Sequence, residues 1–263
     1  MASVFGEAVS DICAGLKRYY VWAALAREDL DDQHRRTTLG PLWMLLNYLL
    51  LAGAFIVVFG RGEDVGHHVA YVAIGLFVWF YCSELISRSV TLFKREESLI
   101  LGTPLPITVY VMRLCMQAFI RACYSGAGCL LLLLFSDVSP SLMDIGYAVL
   151  GIALIAAITP AVVIVLAMAG AWFPDLQFIV SNLLRLGLFL TPIFWSYGGG
   201  DSLRDYIYMY NPFTWVLHVV RAPIIEGGFP LVAFNITLMI GLCCWIVAMW
   251  LLGSLRKKVV FVL

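Results

Sequence analysis

Residues 41–59 have the sequence PLWMLLNYLLLAGAFIVVF, nineteen residues without a charged side chain. A helix needs about 20 apolar residues to cross the hydrocarbon core of a bilayer. Pro41 suits the first turn of such a helix, because the N–H that proline lacks would have no partner there. This stretch predicts a membrane-spanning helix, and it decides the class of the protein.

The whole chain has the composition that this stretch implies. Of its 263 residues, 62% are apolar and 13% are charged, and the mean hydropathy is +0.92. Soluble domains carry about 25% charged residues, so the composition excludes a soluble globular enzyme. Seventeen basic residues balance seventeen acidic ones, which removes nucleic-acid binding by a basic chain. We predict an all-α polytopic membrane protein with a single membrane domain, residues 1–263.

Six stretches have the length and apolar character of spans. They are residues 41–59, 69–87, 107–135, 145–173, 176–195 and 231–252. Before them, in residues 1–40, Ile12, Leu16 and Tyr19 recur at helical spacing, which predicts a cytoplasmic amphipathic helix lying at the membrane surface. The first five spans fill residues 41–195, an outer loop occupies 196–230, and residues 253–263 form a cytoplasmic tail.

The outer loop is too apolar to be a free linker. Asn211 is a good helix N-cap, Pro212 suits the first helical position, and Gly227 and Gly228 are a C-terminal stop. These residues predict a short helix over 212–226. The preceding stretch, 206–210, is rich in tyrosine, so we expect a re-entrant or interfacial pair of short helices.

Basic residues are distributed unequally between the two sets of loops. Eleven lysines and arginines fall in residues 1–40, 88–106 and 253–263, whereas three fall in the other loops. Cytoplasmic loops carry the excess of basic residues, so we expect both termini and the 88–106 loop in the cytoplasm.

Cysteine and histidine show no pattern of a bound metal or a disulfide framework. The seven cysteines contain no Cys-x-x-Cys pair, and the four histidines lack metal-ligand spacing. We therefore expect no metal site.

Five short motifs follow one another along the chain. They are Arg35-Arg36-Thr-Thr-Leu-Gly-Pro-Leu-Trp43, Gly75-Leu-Phe-Val-Trp-Phe-Tyr-Cys-Ser-Glu84, Phe173-Pro-Asp175, Leu190-Thr-Pro-Ile-Phe194 and Asn211-Pro-Phe213. Together with six spans they resemble the membrane subunits of ABC type 2 polysaccharide exporters, most of all the O-antigen (lipopolysaccharide) export permeases. The chain departs from that family's pattern at Asn47-Tyr48 and Leu101-Gly102.

The resemblance implies a bacterial inner-membrane subunit that moves polysaccharide linked to undecaprenyl pyrophosphate. It also implies a homodimer joined to two copies of a cytoplasmic ATPase. The same architecture with another cargo, such as capsular polysaccharide, teichoic acid, a lipid or a drug, stays open as an alternative.

ATP hydrolysis is expected on a separate chain. A phosphate-binding loop needs Gly-x-x-x-x-Gly-Lys-[Ser/Thr], and none of the four lysines follows a glycine. We therefore expect a transport subunit that is not an enzyme and binds no cofactor, with ATP and magnesium on the partner. Candidate residues for coupling to that ATPase are charged and lie at the cytoplasmic side: Arg35, Arg36, Lys94, Arg95, Glu96 and Glu97. The alternative is that these loops are simply solvated.

Arginines inside spans are candidates for binding a lipid-linked pyrophosphate, because a guanidinium group is planar and permanently charged. Arg113, Gln117 and Arg121 are spaced four apart and share one face of the third span. Arg121 and Arg185 are the two arginines assigned to the substrate path, with snorkelling or internal pairing with carboxylates as the alternative. Glu84 is expected to pair with Arg88, four residues later.

Aromatic residues make up 14% of the chain. Their flat apolar faces can hold sugar C–H groups without selecting one sugar, although aromatic belts at the membrane interface are the alternative explanation. The substrate-path candidates are Phe77, Trp79, Tyr81, Phe194, Trp195, Tyr206, Tyr208 and Tyr210.

Two other classes compete with a transporter subunit. A membrane-embedded enzyme needs clustered carboxylates or His and Arg motifs, and the only dense acidic group, Asp29, Asp31 and Asp32, has no basic or metal-binding motif beside it in the sequence. A passive channel would leave the charged 88–106 loop unexplained.

Overall fold

The structure is a computed structural model that describes residues 2–35, 37–59, 65–197, 200 and 202–262. These residues contain twelve α-helices and no β-strand. In chain order the helices are α1 (Ala2–Lys17), α2 (Tyr19–His34), α3 (Leu42–Phe59), α4 (Val65–Val90), α5 (Leu92–Arg95), α6 (Glu97–Gly102), α7 (Ile107–Leu133), α8 (Leu142–Trp172), α9 (Leu176–Leu190), α10 (Leu203–Tyr210), α11 (Pro212–Ile225) and α12 (Leu231–Val262).

Five of the described helices, α3, α4, α7, α8 and α12, are long and apolar enough to cross a membrane. The predicted all-helical polytopic class is thereby confirmed. The stretch 176–195 differs from its prediction, because α9 has only 15 residues, about 22 Å at 1.5 Å per residue, against a hydrocarbon core of about 30 Å. Pro192 explains where α9 stops, since the residue before a proline avoids the helical region and Thr191 is extended (φ −85°, ψ 140°).

Helix α9 nevertheless packs against one of these long helices, α4. Helix α9 runs antiparallel to α4, with Gly187 against the Trp79 ring. Trp195 lies beyond the end of α9, and its carbonyl oxygen accepts a hydrogen bond of 2.8 Å from the hydroxyl of Tyr71, near the start of α4. Together, α9 and the irregular residues after it therefore extend alongside α4 as far as Tyr71.

One end of the bundle collects most of the ionic side chains. There α1 and α2 meet α5, α6, the start of α7 and the last turns of α12, through contacts such as Asp11 with Thr108 and Arg256 with Glu7. We call this the charged end. The distal end holds α10, the starts of α4 and α8 and the residues after α9, where the Gly228 N–H donates to Asp144 at 2.8 Å.

The N-terminal segment differs from the single helix predicted for residues 1–40. The chain breaks at Arg18 into α1, which packs on α12 and α7, and α2, which packs on α7. The buried face is made of small residues such as Ala8, Gly15 and Ala26, whereas Leu16 and Tyr19 stay exposed. Small side chains allow the helix backbones to approach closely, and this close approach decides which face turns inward.

The short helix predicted in the outer loop is confirmed. Asn211 Oδ1 accepts from the Phe213 N–H at 2.9 Å, and Pro212 is the first residue of α11. Gly227 and Gly228 follow with φ of 76° and 77°, a conformation that glycine adopts without strain.

Candidate functional site

Three polar side chains on one face of α7 organise the charged end. Arg113, Gln117 and Arg121 are all buried, as their spacing of four residues predicts for a shared face turned towards neighbouring helices. The start of α7 can lie beyond the hydrocarbon core, since its 27 residues extend about 40 Å. The two arginines have very different surroundings.

Arg113 is fully engaged by two carboxylates. Its Nε and Nη2 donate to the two oxygens of Asp29 at 2.6 Å each, and its Nη1 donates to Glu96 at 2.5 Å. Gln117 also donates to Asp29. This network joins α2 and the α5–α6 junction to α7, so Arg113 is internally paired, one of the alternatives considered for it from the sequence.

Arg121 lies two turns further along α7 and has fewer partners. Its Nε is 2.8 Å from Glu84 Oε1, and the same oxygen accepts from Arg88 Nε at 2.8 Å. The predicted pairing of Glu84 with Arg88 is therefore confirmed. Within the described residues, none of the three Arg121 guanidinium nitrogens makes a hydrogen bond of good geometry.

Two cavities lie against these arginines. The first has a volume of about 480 Å³ between α2, α3, α4 and α7, and Glu84, Arg88 and Arg121 line it. The second, of about 670 Å³, is lined by residues around Arg113. Gln33 and Arg88 line both cavities, so the two are adjacent at the charged end.

The coupling candidates divide into exposed and buried residues. Lys94 and Arg95 are exposed in α5, whereas Glu96 is buried against Arg113 and Glu97 is half-buried. Arg35 is exposed beside Asp32, at 3.8 Å. Arg36 lies outside the described residues.

A further set of polar contacts connects α1 to α7 and to the last turns of α12. Asp11 in α1 accepts from the backbone N–H and the hydroxyl of Thr108, at 3.1 and 2.7 Å, and so caps the first turn of α7. Arg256 in α12 lies 3.5 Å from Asp11 and 3.4 Å from Glu7. Sequence reasoning missed this contact, because residues 97 and 245 positions away from Asp11 give no local signal.

The aromatic candidates on α4 lie inside the protomer. Trp79 is only 3% exposed and packs edge-on to Phe213, with ring centroids 5.3 Å apart. Tyr81 shares a hydrogen bond of 2.6 Å with Thr159, and Phe77 packs against Gly126. In this conformation these rings hold helices together.

The aromatic candidates at the distal end are more accessible. Phe194 stacks on Phe55 at 4.3 Å, while Tyr206 and Tyr210 are exposed on one side of α10. Trp195 has Tyr208 at 6.3 Å and the guanidinium carbon of Arg204 at 4.7 Å above its ring. We call Trp195, Tyr197, Arg204 and Tyr208 the distal ring cluster.

Within this cluster, burial changes the ionisation of Tyr208. Burial raises the pKa of Tyr208 to about 12, so its hydroxyl stays protonated at physiological pH.

Arg221, which sequence reasoning did not single out, is 2% exposed. It donates to the Pro192 carbonyl oxygen at 2.7 Å and lies over the Tyr71 ring at 3.7 Å. It fixes the chain where α9 ends.

Arg185 is not part of either cavity lining described above. It lies on α9, a helix that has no buried residue, and its side chain is exposed. The exposed surface of α9 also carries Leu183, Leu186 and Phe189. The structure thus separates Arg185 from Arg121, the other arginine assigned to the substrate path.

Comparison with known proteins gives concordant results. The sequence profile described as "ABC-2 type transporter" matches residues 19–225, which extend from the first residue of α2 to the last residue of α11. The chain is 22% identical over 240 residues to the O-antigen export system permease protein RfbA of Klebsiella pneumoniae, covering 89% of this chain and 91% of that protein. It is 24% identical over 219 residues to the protein of the same name from Myxococcus xanthus, covering 79% and 81%.

Proposed function

The chain belongs to the ABC-2 type transporter family, and from this membership we propose that it is the membrane subunit of an ATP-driven polysaccharide exporter. It is a multi-pass membrane permease subunit and not an enzyme. The proposed cargo is an O-antigen-type polysaccharide linked to undecaprenyl pyrophosphate, because the relatives of similar length are named for O-antigen export. Capsular polysaccharide, teichoic acid or another lipid or drug is the alternative cargo.

The observation that carries the ATPase partnership is the connection of α5 and α6 to α7. Lys94 and Arg95 are exposed, while the neighbouring Glu96 is bonded to Arg113 of α7. A force applied to the exposed side of these short helices is therefore transmitted directly to a spanning helix. In this proposal the partner ATPase holds ATP and magnesium, and this chain holds neither.

The proposed orientation puts the charged end in the cytoplasm of a bacterium, with the chain in the inner membrane. The basic excess of residues 1–40, 88–106 and 253–263 supports this orientation. The contact of Arg256 with Glu7 keeps α1 and the last turns of α12 at one end of the bundle.

The proposed conduit lies between two copies of the chain. Symmetric pairs are the commonest assembly, and a guanidinium facing lipid in mid-membrane would be costly. The exposed Arg185 on α9 is therefore expected to face a partner copy or water. The sugar path would continue to the distal ring cluster, whose ring faces suit sugar C–H groups.

The test is reconstitution with candidate ATPases encoded beside this chain. A complex of two permeases and two ATPases that hydrolyses ATP and moves labelled lipid-linked polysaccharide into vesicles is the expected result. The matched control is the same complex with the lysine of the ATPase phosphate-binding loop replaced, which should assemble without transport. A chain that stays alone with every such ATPase, or that turns over a lipid without nucleotide, would contradict the proposal.

A further inference from the structure

We propose that the cavity between α2, α3, α4 and α7 is a binding site for a phosphate or pyrophosphate group, held by Arg121 and Arg88. The starting observation is an imbalance of charge. Two guanidinium groups share one oxygen of Glu84, each at 2.8 Å. One carboxylate neutralises one cation, so the trio keeps a net positive charge beside the cavity.

Arg121 is also short of hydrogen-bond acceptors. The Arg121 side chain is 9% exposed, and within the described residues its three nitrogens lack hydrogen bonds of good geometry. Buried donors without acceptors are costly, and natural proteins rarely leave them so without a reason. Arg113, two turns away, has three well-formed bonds to carboxylates. Helix α7 therefore carries Arg113, which is hydrogen-bonded to carboxylates, and Arg121, which among the described residues is not.

The cavity is large enough and has the lining to supply that acceptor. Its volume of about 480 Å³ falls in the range of small-molecule pockets, roughly 300–1,000 Å³. Asn47, Ser83 and Ser125 add polar side chains to its wall. The remaining wall is largely apolar, and Leu51, which lines the cavity, is also 43% exposed on the outside of α3.

These surroundings favour a phosphate-type anion attached to an apolar chain. The guanidinium fork matches two phosphate oxygens, whereas a carbohydrate hydroxyl would leave the positive charge uncompensated. An apolar tail could leave past Leu51 towards the lipid-facing surface of α3. The site thus fits the head of a lipid-linked substrate, and in this respect the inference rests on the proposed function.

Glu84 gives the site a means of release. A bound phosphate competes with the like-charged Glu84 carboxylate for Arg121, and the carboxylate regains the arginine when the ligand leaves. Glu84 is therefore a competitor for the arginine, and its removal is expected to strengthen anion binding. A purely structural ion pair predicts no such gain.

The test measures binding to the full chain in phosphatidylcholine nanodiscs by native mass spectrometry, without any ATPase. The probes are inorganic pyrophosphate, undecaprenyl pyrophosphate and phosphatidylglycerol. Arg121→Gln is expected to weaken binding by about tenfold or more, Glu84→Gln to strengthen it, and Arg27→Gln, an exposed arginine on α2 outside the cavity, to leave it unchanged. Binding of inorganic pyrophosphate would identify the anion alone as sufficient, and Arg121-dependent binding restricted to one of the lipids would identify that headgroup.

Wild-type affinity in monodisperse Arg121→Gln protein would overturn the site, and so would Glu84→Gln protein that binds no more tightly than wild type. The second variant decides the matter if Arg121→Gln does not fold. Because the assay contains no ATPase, its failure is distinct from failure of the export proposal. Arg121-dependent binding by a chain that never joins an ATPase would support the site and contradict the exporter.

Discussion

At the scale of single residues, the partner of a charge decides what it does. Asp29 belongs to an acidic group that has no basic motif near it in sequence, yet it accepts two hydrogen bonds from Arg113, 84 positions away. Arg113 is thereby neutralised, whereas Arg121 on the same face shares its one carboxylate, Glu84, with Arg88. One helix face carries a structural arginine and a candidate binding arginine.

The Asp29–Arg113 pair gives a residue-scale prediction about stability. Asp29→Asn removes the charge and turns an amide towards the Arg113 and Gln117 donors. Because Asp29 is 24% exposed, we expect a loss of roughly 2 kcal/mol, less than the 3–5 kcal/mol of a fully buried pair.

The measurement is the thermal unfolding midpoint in detergent, expected to fall by about 5 °C. Asp31→Asn, an exposed carboxylate on the same helix, is the control and should leave the midpoint unchanged. Equal midpoints for both variants would show that the pair adds nothing to stability.

At the scale of helices, glycines set how closely the elements approach. A Cβ at Gly151 of α8 would lie 2.7 Å from the Val219 carbonyl oxygen of α11, so these backbones are in contact. Gly146, on the same helix, has nothing within 4 Å of that position. The short α11 is therefore held against α8 at a spacing that only glycine allows.

Gly151→Ala is accordingly expected to push α11 away from α8 and to cost about 1–3 kcal/mol. Gly146→Ala should be neutral or slightly stabilising, since alanine favours helix by up to about 1 kcal/mol. Unfolding midpoints of the two purified variants provide the comparison. A Gly151→Ala protein as stable as Gly146→Ala would mean that α11 can shift without cost.

The α5–α6 segment gives a second prediction at the same scale. Reversing both exposed charges, Lys94→Glu with Arg95→Glu, should weaken association with the ATPase by roughly tenfold. The reversal removes the bond from Arg95 Nε to Glu96 Oε1 at 3.3 Å, but Glu96 keeps its bond to Arg113, so the chain should remain folded.

Co-purification and ATPase stimulation measure the effect, with Lys17→Glu, an exposed lysine on α1, as the control. Unchanged association in the double variant would remove these two residues from the coupling surface.

At the scale of the whole molecule, the surface of α9 supports the proposed second copy. An isolated chain would present Arg185 to lipid, between Leu183 and Leu186. Placing water or a partner at this face removes the cost of burying the guanidinium in hydrocarbon.

Thiol labelling in membranes tests this assembly. In a cysteine-free background, Arg185→Cys should react with a charged, membrane-impermeant reagent about tenfold faster than Leu242→Cys. Leu242 is 55% exposed on α12 and serves as the lipid-facing control. Equal, slow labelling at both positions would show that this face of α9 does not line a water-filled conduit.

The sequence alone determined the five long apolar helices, where α11 begins and, to within one residue, where it ends, and that Glu84 pairs with Arg88. These properties depend on side chains within about five residues of each other, so periodicity, capping and spacing reveal them. Tertiary structure decided that Asp29 neutralises Arg113, that Trp79 lies inside the protomer, that small residues form the buried face of α1 and α2, and that the apolar stretch after α8 contains only a 15-residue helix. Each of these depends on which distant helix backbone comes close enough to make contact, and that distance is a property of the packed bundle and not of any local stretch.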